Sequence, residues 1–171
     1  MPGGVLNGVA GGRGDPVLLL HGGPGLTWGY LQPLVDELAA GNRVAVYQQR
    51  GVPPSTAGPP YDIATQVADV VAVLDTLGWG NAVVAGHSWG GHLLLHLLAA
   101  HPECVAGALV IDTLGAVGDG GEAEFDAEML RRTPPGDVER VEQLERRAMA
   151  GDGTEADLVQ SLQLLWPAYF A

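Results

Sequence analysis

The stretch AVVAGHSWGG, residues 82–91, decides the fold of this chain. Its first four residues are apolar and predict a short strand that is buried on both faces of a sheet. The segment from Trp89 to Ala100 predicts a helix that ends before His101-Pro102. The join between them has the pattern Gly-x-Ser-x-Gly, which is typical of a sharp turn that holds a nucleophilic serine, Ser88, at its apex.

The two glycines of this pattern have a steric reason. At Gly86 and Gly90 a Cβ atom would clash, because the strand and the helix approach each other closely in so tight a turn. Ser88 is therefore predicted to be the nucleophile, and His87 is expected to support the turn with its side chain pointing away from the serine. An accidental glycine-rich turn is the alternative for this pattern taken alone.

A second glycine-rich segment, His21-Gly22-Gly23-Pro24-Gly25, follows an apolar run that predicts another buried strand. We expect the backbone N–H groups of Gly23 and Trp89 to form a two-donor oxyanion hole. His21 is expected to organise the loop through hydrogen bonds rather than to act as an acid or base. The other residues expected to shape the loop are Gly22, Pro24 and Gly25. A glycine turn without any ligand role is the alternative.

Strand and helix signals alternate through the first two thirds of the chain. Four strands are predicted, at Pro16–Leu20, Arg43–Gln48, Ala82–Ala85 and Val105–Ile111. Residues before them predict at most a short strand near Val5–Ala10. Two further helices are predicted, one capped by Thr27 and running to about Ala40, and one that begins at Asp62 and stops at Gly78. The alternation predicts an α/β fold with a partial parallel sheet and flanking helices.

The pattern changes after Asp112. A glycine-rich linker leads into three predicted amphipathic helices, at Glu122–Arg132, Asp137–Ala150 and Thr154–Trp166. Residues 119–157 carry twelve Asp or Glu and five Arg, which indicates exposed helices. We therefore divide the chain into a core part, residues 1–114, and a helical part, residues 115–171.

Composition excludes some classes of partner. The net charge is −12, with eight arginines and no lysine, which disfavours nucleic acid and anionic membranes. No apolar run approaches the length of a membrane span, and residues 1–4 lack the features of a secretory signal, so a cytoplasmic protein is expected. The single cysteine, Cys104, is interpreted as a buried small apolar residue.

Three segments together, His21–Gly25, Gln49-Arg50-Gly51 and Gly86–Gly91, resemble the α/β-hydrolase superfamily and, within it, the proline iminopeptidase-like branch (peptidase family S33). The ending Trp166–Ala171 resembles part of the helical cap of that branch. The resemblance implies the α/β-hydrolase fold for residues 1–114 and the start of a helical cap, or lid, for residues 115–171. The chain departs from the branch at Gln48, where Asp is usual before Gln-Arg-Gly.

The resemblance also implies a catalytic triad in the order Ser, Asp, His, with the last two residues beyond the cap. No histidine follows His101 in this chain. We therefore expect a serine hydrolase that acts on ester or amide bonds, including N-terminal prolyl peptide bonds. Its acid and histidine are expected beyond residue 171, and residues 1–171 alone are expected to be inactive. The alternative is a truncated form or pseudoenzyme that binds a ligand or a partner without turnover.

Other residues are possible substitutes for the missing members of the triad. Asp112 ends a predicted strand where some relatives place their acid, although a structural role is favoured. His92 and His96 share one helical face at a spacing that can bind a metal, but we interpret them as packed side chains. No metal or cofactor is expected. Acidic residues of the cap are candidates to receive an N-terminal amine.

The expected substrate is a small ester, an amide or a short peptide. By resemblance, the strands at Arg43–Gln48 and Val105–Ile111 are both edges of the sheet. The second is apolar and uncharged, so a second chain or self-association is expected to cover it.

Overall fold

The computed structural model describes residues 4–118 and 120–170. The chain forms two compact units, Met1–Gly120 and Gly121–Ala171. The elements of the first unit are β1 (Asn7–Gly12), β2 (Asp15–Leu20), α1 (Gln32–Leu38), β3 (Asn42–Gln48), α2 (Ile63–Leu77), β4 (Ala82–His87), α3 (Trp89–Ala100) and β5 (Val105–Ile111). The helices of the second unit are α4 (Glu122–Arg132), α5 (Pro135–Met149) and α6 (Glu155–Leu165).

The five described strands form one sheet in the order β1-β3-β2-β4-β5. Strands β3, β2, β4 and β5 are parallel, as the alternation of strands and helices predicted. Strand β1 is a full six-residue strand, antiparallel to β3, whereas the sequence predicted at most a short piece near Val5–Ala10. The expectation that β3 is an edge is therefore wrong, because β1 covers it.

Alternating side chains of β2 explain the two layers of the core. Leu18 and Leu20 point to one face, where they pack with residues of α2 and α3 such as Val70 and Leu94. Val17 and Leu19 belong to the opposite layer, which includes Val35 of α1. The strand is thus buried on both faces, which confirms the interpretation of its apolar run.

The described helix boundaries confirm some capping predictions and correct another. Asp62 caps α2, since its side chain accepts a hydrogen bond from the Thr65 N–H, and Gly78 ends that helix with a φ of 68°. Thr27 makes no side-chain cap. The prediction failed because the chain enters α1 through a 3₁₀ turn, Trp28–Leu31, rather than through a regular first α-helical turn.

Strand β5 is paired on one side only among the described residues. It is apolar throughout, yet no residue in it is fully buried, and Leu109 is 55% exposed. An uncharged strand with an open edge can template pairing with another chain.

The buried apolar residues of the second unit include Met129, Val141, Leu144 and Ala168. Helices α5 and α6 are joined by hydrogen bonds from Arg140 to Gln160. The three helices occur where the sequence predicted them. The segment between residues 115 and 120 belongs to the first unit, where the Gly115 N–H donates to the Gly120 carbonyl. None of the described helices combines the length and the hydropathy that a bilayer span needs.

Candidate active site

Ser88 lies between the end of β4 and the start of α3 in a backbone conformation that non-glycine residues rarely adopt. Its φ is 53° and its ψ is −121°. Such a conformation costs about 1–3 kcal/mol and persists only where the surroundings enforce it. Two contacts do so, since the Ser88 N–H donates to the Ile111 carbonyl (2.9 Å) and the Thr113 hydroxyl donates to the Ser88 carbonyl (2.7 Å).

The flanking glycines are required by contacts with backbone atoms. A Cβ atom on Gly86 would lie 2.5 Å from the carbonyl carbon of Gly90. A Cβ atom on Gly90 would lie 2.5 Å from the carbonyl carbon of Leu20 and 2.7 Å from the His21 oxygen. Gly86 therefore faces the start of α3, whereas Gly90 faces the end of β2, a segment that lies outside the turn itself. The helix start is therefore pressed against the end of β2.

This packing brings the glycine-rich loop next to the serine. A Cβ atom on Gly22 would lie 3.2 Å from Ser88 Cβ and 3.1 Å from the Tyr30 hydroxyl. The Gly22 N–H donates to that hydroxyl (2.6 Å). The backbone N–H groups of Gly23 and Trp89 have no acceptor among residues 4–118 and 120–170. Both donors remain available to a ligand, and their role as an oxyanion hole stays a prediction.

His21 is completely buried, and it bonds to the loop that follows it and to Gln49. Its Nε2 accepts a hydrogen bond from the Gln49 N–H (3.1 Å), so Nδ1 carries the proton and donates to the Gly22 carbonyl (2.7 Å). Desolvation by burial lowers the pKa of His21, and the bond to Gly22 opposes this in part. A neutral imidazole with both nitrogens occupied is suited to holding a loop rather than to moving protons.

His87 bonds to Tyr30 rather than to the serine. Its Nδ1 lies 2.8 Å from the Tyr30 hydroxyl, and the two rings meet edge to face with centroids 5.5 Å apart. No sequence pattern pointed to Tyr30, which lies 57 residues before His87. Its hydroxyl links the glycine-rich loop to the strand end that carries Ser88.

Gln49 and Arg50 also have roles in the structure that residue patterns alone did not reveal. The side chain of Gln49 bonds to both His21 and Trp89. Arg50 is buried and forms a two-point ion pair with Asp69 of α2, in which both N···O distances are 2.6 Å. The hydrogen bond with Asp69 raises the pKa of Arg50. The sequence signal for these two residues was the triplet Gln49-Arg50-Gly51, which indicated a family resemblance but not which groups the side chains would contact.

Among the described contacts, no side chain of the candidate substitutes for the triad bonds to Ser88 Oγ. His92 lies 2.9 Å from the Gly115 carbonyl through Nδ1 and stacks on Trp89 (5.3 Å between ring centroids), while His96 meets the edge of His92. Burial, and then the neighbouring His92, lower the pKa of His96. Asp112 is exposed, with a φ of 47°.

Ser88 Oγ makes no hydrogen bond with any of the residues that the structure describes. The described part of the chain also contains no cluster of three or more residues that could hold a metal ion. Pro24 and Gly25 are exposed at the tip of the loop. The site thus combines a strained serine with two unpaired N–H donors, and none of the described imidazoles bonds to that serine.

Comparison with known proteins identifies the fold. The family model described as alpha/beta hydrolase fold matches residues 15–165. The chain is 36% identical over 109 residues to a proline iminopeptidase of Lactobacillus delbrueckii subsp. bulgaricus, covering 59% of this chain and 37% of that protein. It is 34% identical over 108 residues to mouse epoxide hydrolase 4, covering 61% of this chain and 30% of that protein.

A solved structure, the proline iminopeptidase of Mycobacterium smegmatis, superposes with a TM-score of 0.73 at 23% identity, covering 94% of this chain and 56% of that one. The chain spans less than two thirds of the length of these relatives. The family model matches residues 15–165, and the sheet order and the turn at Ser88 agree with it. This chain therefore belongs to the α/β-hydrolase fold family and resembles its proline iminopeptidases.

Proposed function

We propose that this chain carries the nucleophile and oxyanion hole of a serine hydrolase that acts on ester or amide bonds. The observation that supports this most directly is the juxtaposition at Ser88. A serine with a φ of 53° lies against the loop that contains Gly23, and two backbone N–H donors nearby have no partner among the described residues. A cytoplasmic location is part of this proposal.

In the proposed reaction, Ser88 Oγ attacks the carbonyl carbon of the substrate and a C–O bond forms. The carbonyl oxygen gains negative charge, which the N–H groups of Gly23 and Trp89 stabilise. The hydroxyl proton passes to a base. As the carbonyl re-forms, the substrate's C–O or C–N bond breaks, and the base protonates the leaving alcohol or amine. Water then releases the acyl group from Ser88.

The base and the acid that orients it are proposed to come from residues outside 1–171, in a longer chain or a second chain. Among the described contacts, no histidine ring bonds to Ser88 Oγ, and the only histidine bond to this residue runs from the His92 backbone N–H to the Ser88 carbonyl (3.1 Å). Similarity to proline iminopeptidases supports N-terminal prolyl peptide bonds as the substrate class.

The alternative function is binding of a ligand or partner without turnover, which the lack of a described base beside Ser88 favours. A fluorophosphonate probe tests the nucleophile. We expect it to label Ser88 slowly, and not Ser55 or Ser161, which are both buried. Equal labelling of either buried serine, or labelling that survives Ser88→Ala, would refute the assignment.

Turnover separates the two functions. Residues 1–171 are expected to give no measurable hydrolysis of prolyl or alanyl arylamides and only a trace on activated p-nitrophenyl esters. Adding the C-terminal half of a related hydrolase, fused or as a second chain, should restore turnover that Ser88→Ala abolishes. Turnover near ~1 s⁻¹ by residues 1–171 alone, an ordinary enzyme rate, would show that a base is already present.

A further inference from the structure

We infer that Gln49 is a positioning residue for the oxyanion hole, because its side-chain carboxamide joins the segment that contains Gly23 to Trp89. The role rests on the proposed function, since it matters only if those two residues receive an oxyanion. Gln49 itself touches no reacting atom.

The carboxamide uses both of its ends. Its Nε2 donates to the His21 carbonyl (2.9 Å), and its Oε1 accepts from the Trp89 indole N–H (3.0 Å). The Gln49 backbone N–H donates to His21 Nε2 (3.1 Å). The residue is only 5% exposed, so these partners replace water almost entirely.

The two partners of the Gln49 side chain, His21 and Trp89, both adjoin the proposed oxyanion hole. His21 directly precedes Gly22 and Gly23, and its carbonyl oxygen would lie 2.7 Å from a Cβ atom on Gly90 at the start of α3. Trp89 supplies the other proposed donor through its backbone N–H, and its indole also stacks on the His92 ring. One planar amide therefore sets the spacing between two segments that are far apart in the sequence.

Spacing matters because an oxyanion hole works only when its donors are fixed before the reaction. Useful donors lie roughly 2.7–3.1 Å from the position that the oxyanion will occupy. A displacement of about 1 Å can lower a rate by about 10²-fold. The loss of the Gln49 bridge is expected to loosen the placement of both donors without removing either.

The chemistry of the bridge distinguishes it from packing. The His21 carbonyl needs a donor and the Trp89 indole needs an acceptor, and a carboxamide offers both. A carboxylate at position 49 accepts from Trp89 but repels the His21 carbonyl. A protonated carboxyl group again offers one donor and one acceptor.

The first test compares two buried glutamines. Gln49→Met removes the bridge. Gln66→Met is the matched control, since Gln66 of α2 is 6% exposed and its side chain donates to the Tyr61 carbonyl. The labelling of Ser88 by a fluorophosphonate is measured as a maximal rate and a half-saturating probe concentration. We expect Gln49→Met to lower the maximal rate at least ~10-fold. The half-saturating concentration should stay unchanged, and Gln66→Met should label like the parent chain.

The second test uses Gln49→Glu across pH 5–8. Burial raises the pKa of a carboxyl group above its ordinary value of about 4.3, so the introduced carboxyl group should become protonated toward the lower end of this range. The labelling rate of this variant, divided by that of the parent chain at each pH, should rise as the pH falls. A role in packing alone gives no such recovery, and this profile decides the matter if Gln49→Met does not fold.

The outcomes separate the two proposals. If the parent chain labels at Ser88 but Gln49→Met labels equally fast, or loses no more than Gln66→Met, the role of Gln49 is overturned while the nucleophile stands. A rate ratio for Gln49→Glu that stays flat with pH also overturns it. If the parent chain does not label at Ser88, the proposed function itself fails.

Discussion

The ion pair between Arg50 and Asp69 offers a quantitative test of how the first unit is held together. Arg50 follows β3, and Asp69 lies on α2. The Arg50 Nε and Nη2 atoms each lie 2.6 Å from one carboxylate oxygen of Asp69, and both side chains are less than a tenth exposed. The remaining guanidinium nitrogen, Nη1, donates to the carbonyls of Gly58 and Pro60. The pair therefore ties the loop after β3 to the helix that follows it.

Asp69→Asn keeps the size of the side chain and removes its charge. The buried guanidinium then has no counter-charge, and one of its two donors faces an amide NH₂ group. Removing one partner of a buried pair lowers the free energy of unfolding by about 3–5 kcal/mol. We place this variant near the lower end, at about 3 kcal/mol, because the amide oxygen still accepts one bond. For a chain of this length the midpoint of thermal unfolding should fall by roughly 6–12 °C.

Urea unfolding followed by circular dichroism measures the free energy of unfolding, and heating followed by the same signal measures the thermal midpoint. Glu128→Gln is the matched control, since Glu128 pairs with Arg131 and Arg132 on an exposed helix face. Loss of these exposed ion pairs should leave the midpoint of unfolding unchanged. The double variant Arg50→Met/Asp69→Leu should recover most of the lost stability, because an apolar pair removes the unpaired charge. A midpoint for Asp69→Asn equal to that of the control would refute the reasoning.

Three further expectations follow from the described contacts. Gly90→Ala should abolish labelling of Ser88 and lower the unfolding midpoint, because the new methyl group meets the backbone at Leu20. The methyl group of the control Gly41→Ala meets no atom within 4 Å and should have neither effect; labelling retained in Gly90→Ala would contradict this prediction. The free energy of unfolding should fall as the pH drops below about 6.5, because burial lowers the pKa of His21 in the fold and the unfolded chain therefore binds more protons. His21→Gln should reduce this dependence of stability on pH and leave the contribution of His96; an unchanged dependence in urea titrations would count against the prediction. The isolated chain should be insoluble or should associate through the open edge of β5, and Leu109→Lys should raise the monomer fraction measured by light scattering. A parent chain that elutes as one sharp monomer would show that the edge of β5 does not drive association.

Local patterns account for the parts of the fold that the sequence predicted well. The apolar run of β2 indicates burial by its composition alone, and Gly86 avoids a clash with Gly90, four residues along the chain. Asp62 and Gly78 likewise act on backbone atoms a few residues away. These features could be predicted because each signal lies within one short segment, whereas the neighbour that requires a glycine at position 90 is Leu20.

The features that were missed depend on distant partners. Strand β1, with the sequence NGVAGG, has little strand propensity, and it forms because its backbone pairs with β3. Gln49 bonds to residues 28 and 40 positions away, and Arg50 pairs with a carboxylate 19 positions away. A polar residue at the end of a strand gives no local sign of which distant group it will meet.

The turn at Ser88 is held through main-chain atoms, and this has a consequence for how such a protein can change. Gly86 and Gly90 are fixed by contacts with backbone carbonyls, and Ser88 is anchored by its own N–H and C=O groups. Among the described contacts, its Oγ takes no part in holding the turn. The flanking positions are therefore closed to substitution, while replacement of the one side chain at position 88 could install a thiol or a carboxylate in the same place. A scaffold built this way can acquire a new reaction class by mutation of its reactive atom, without first having to evolve a new fold.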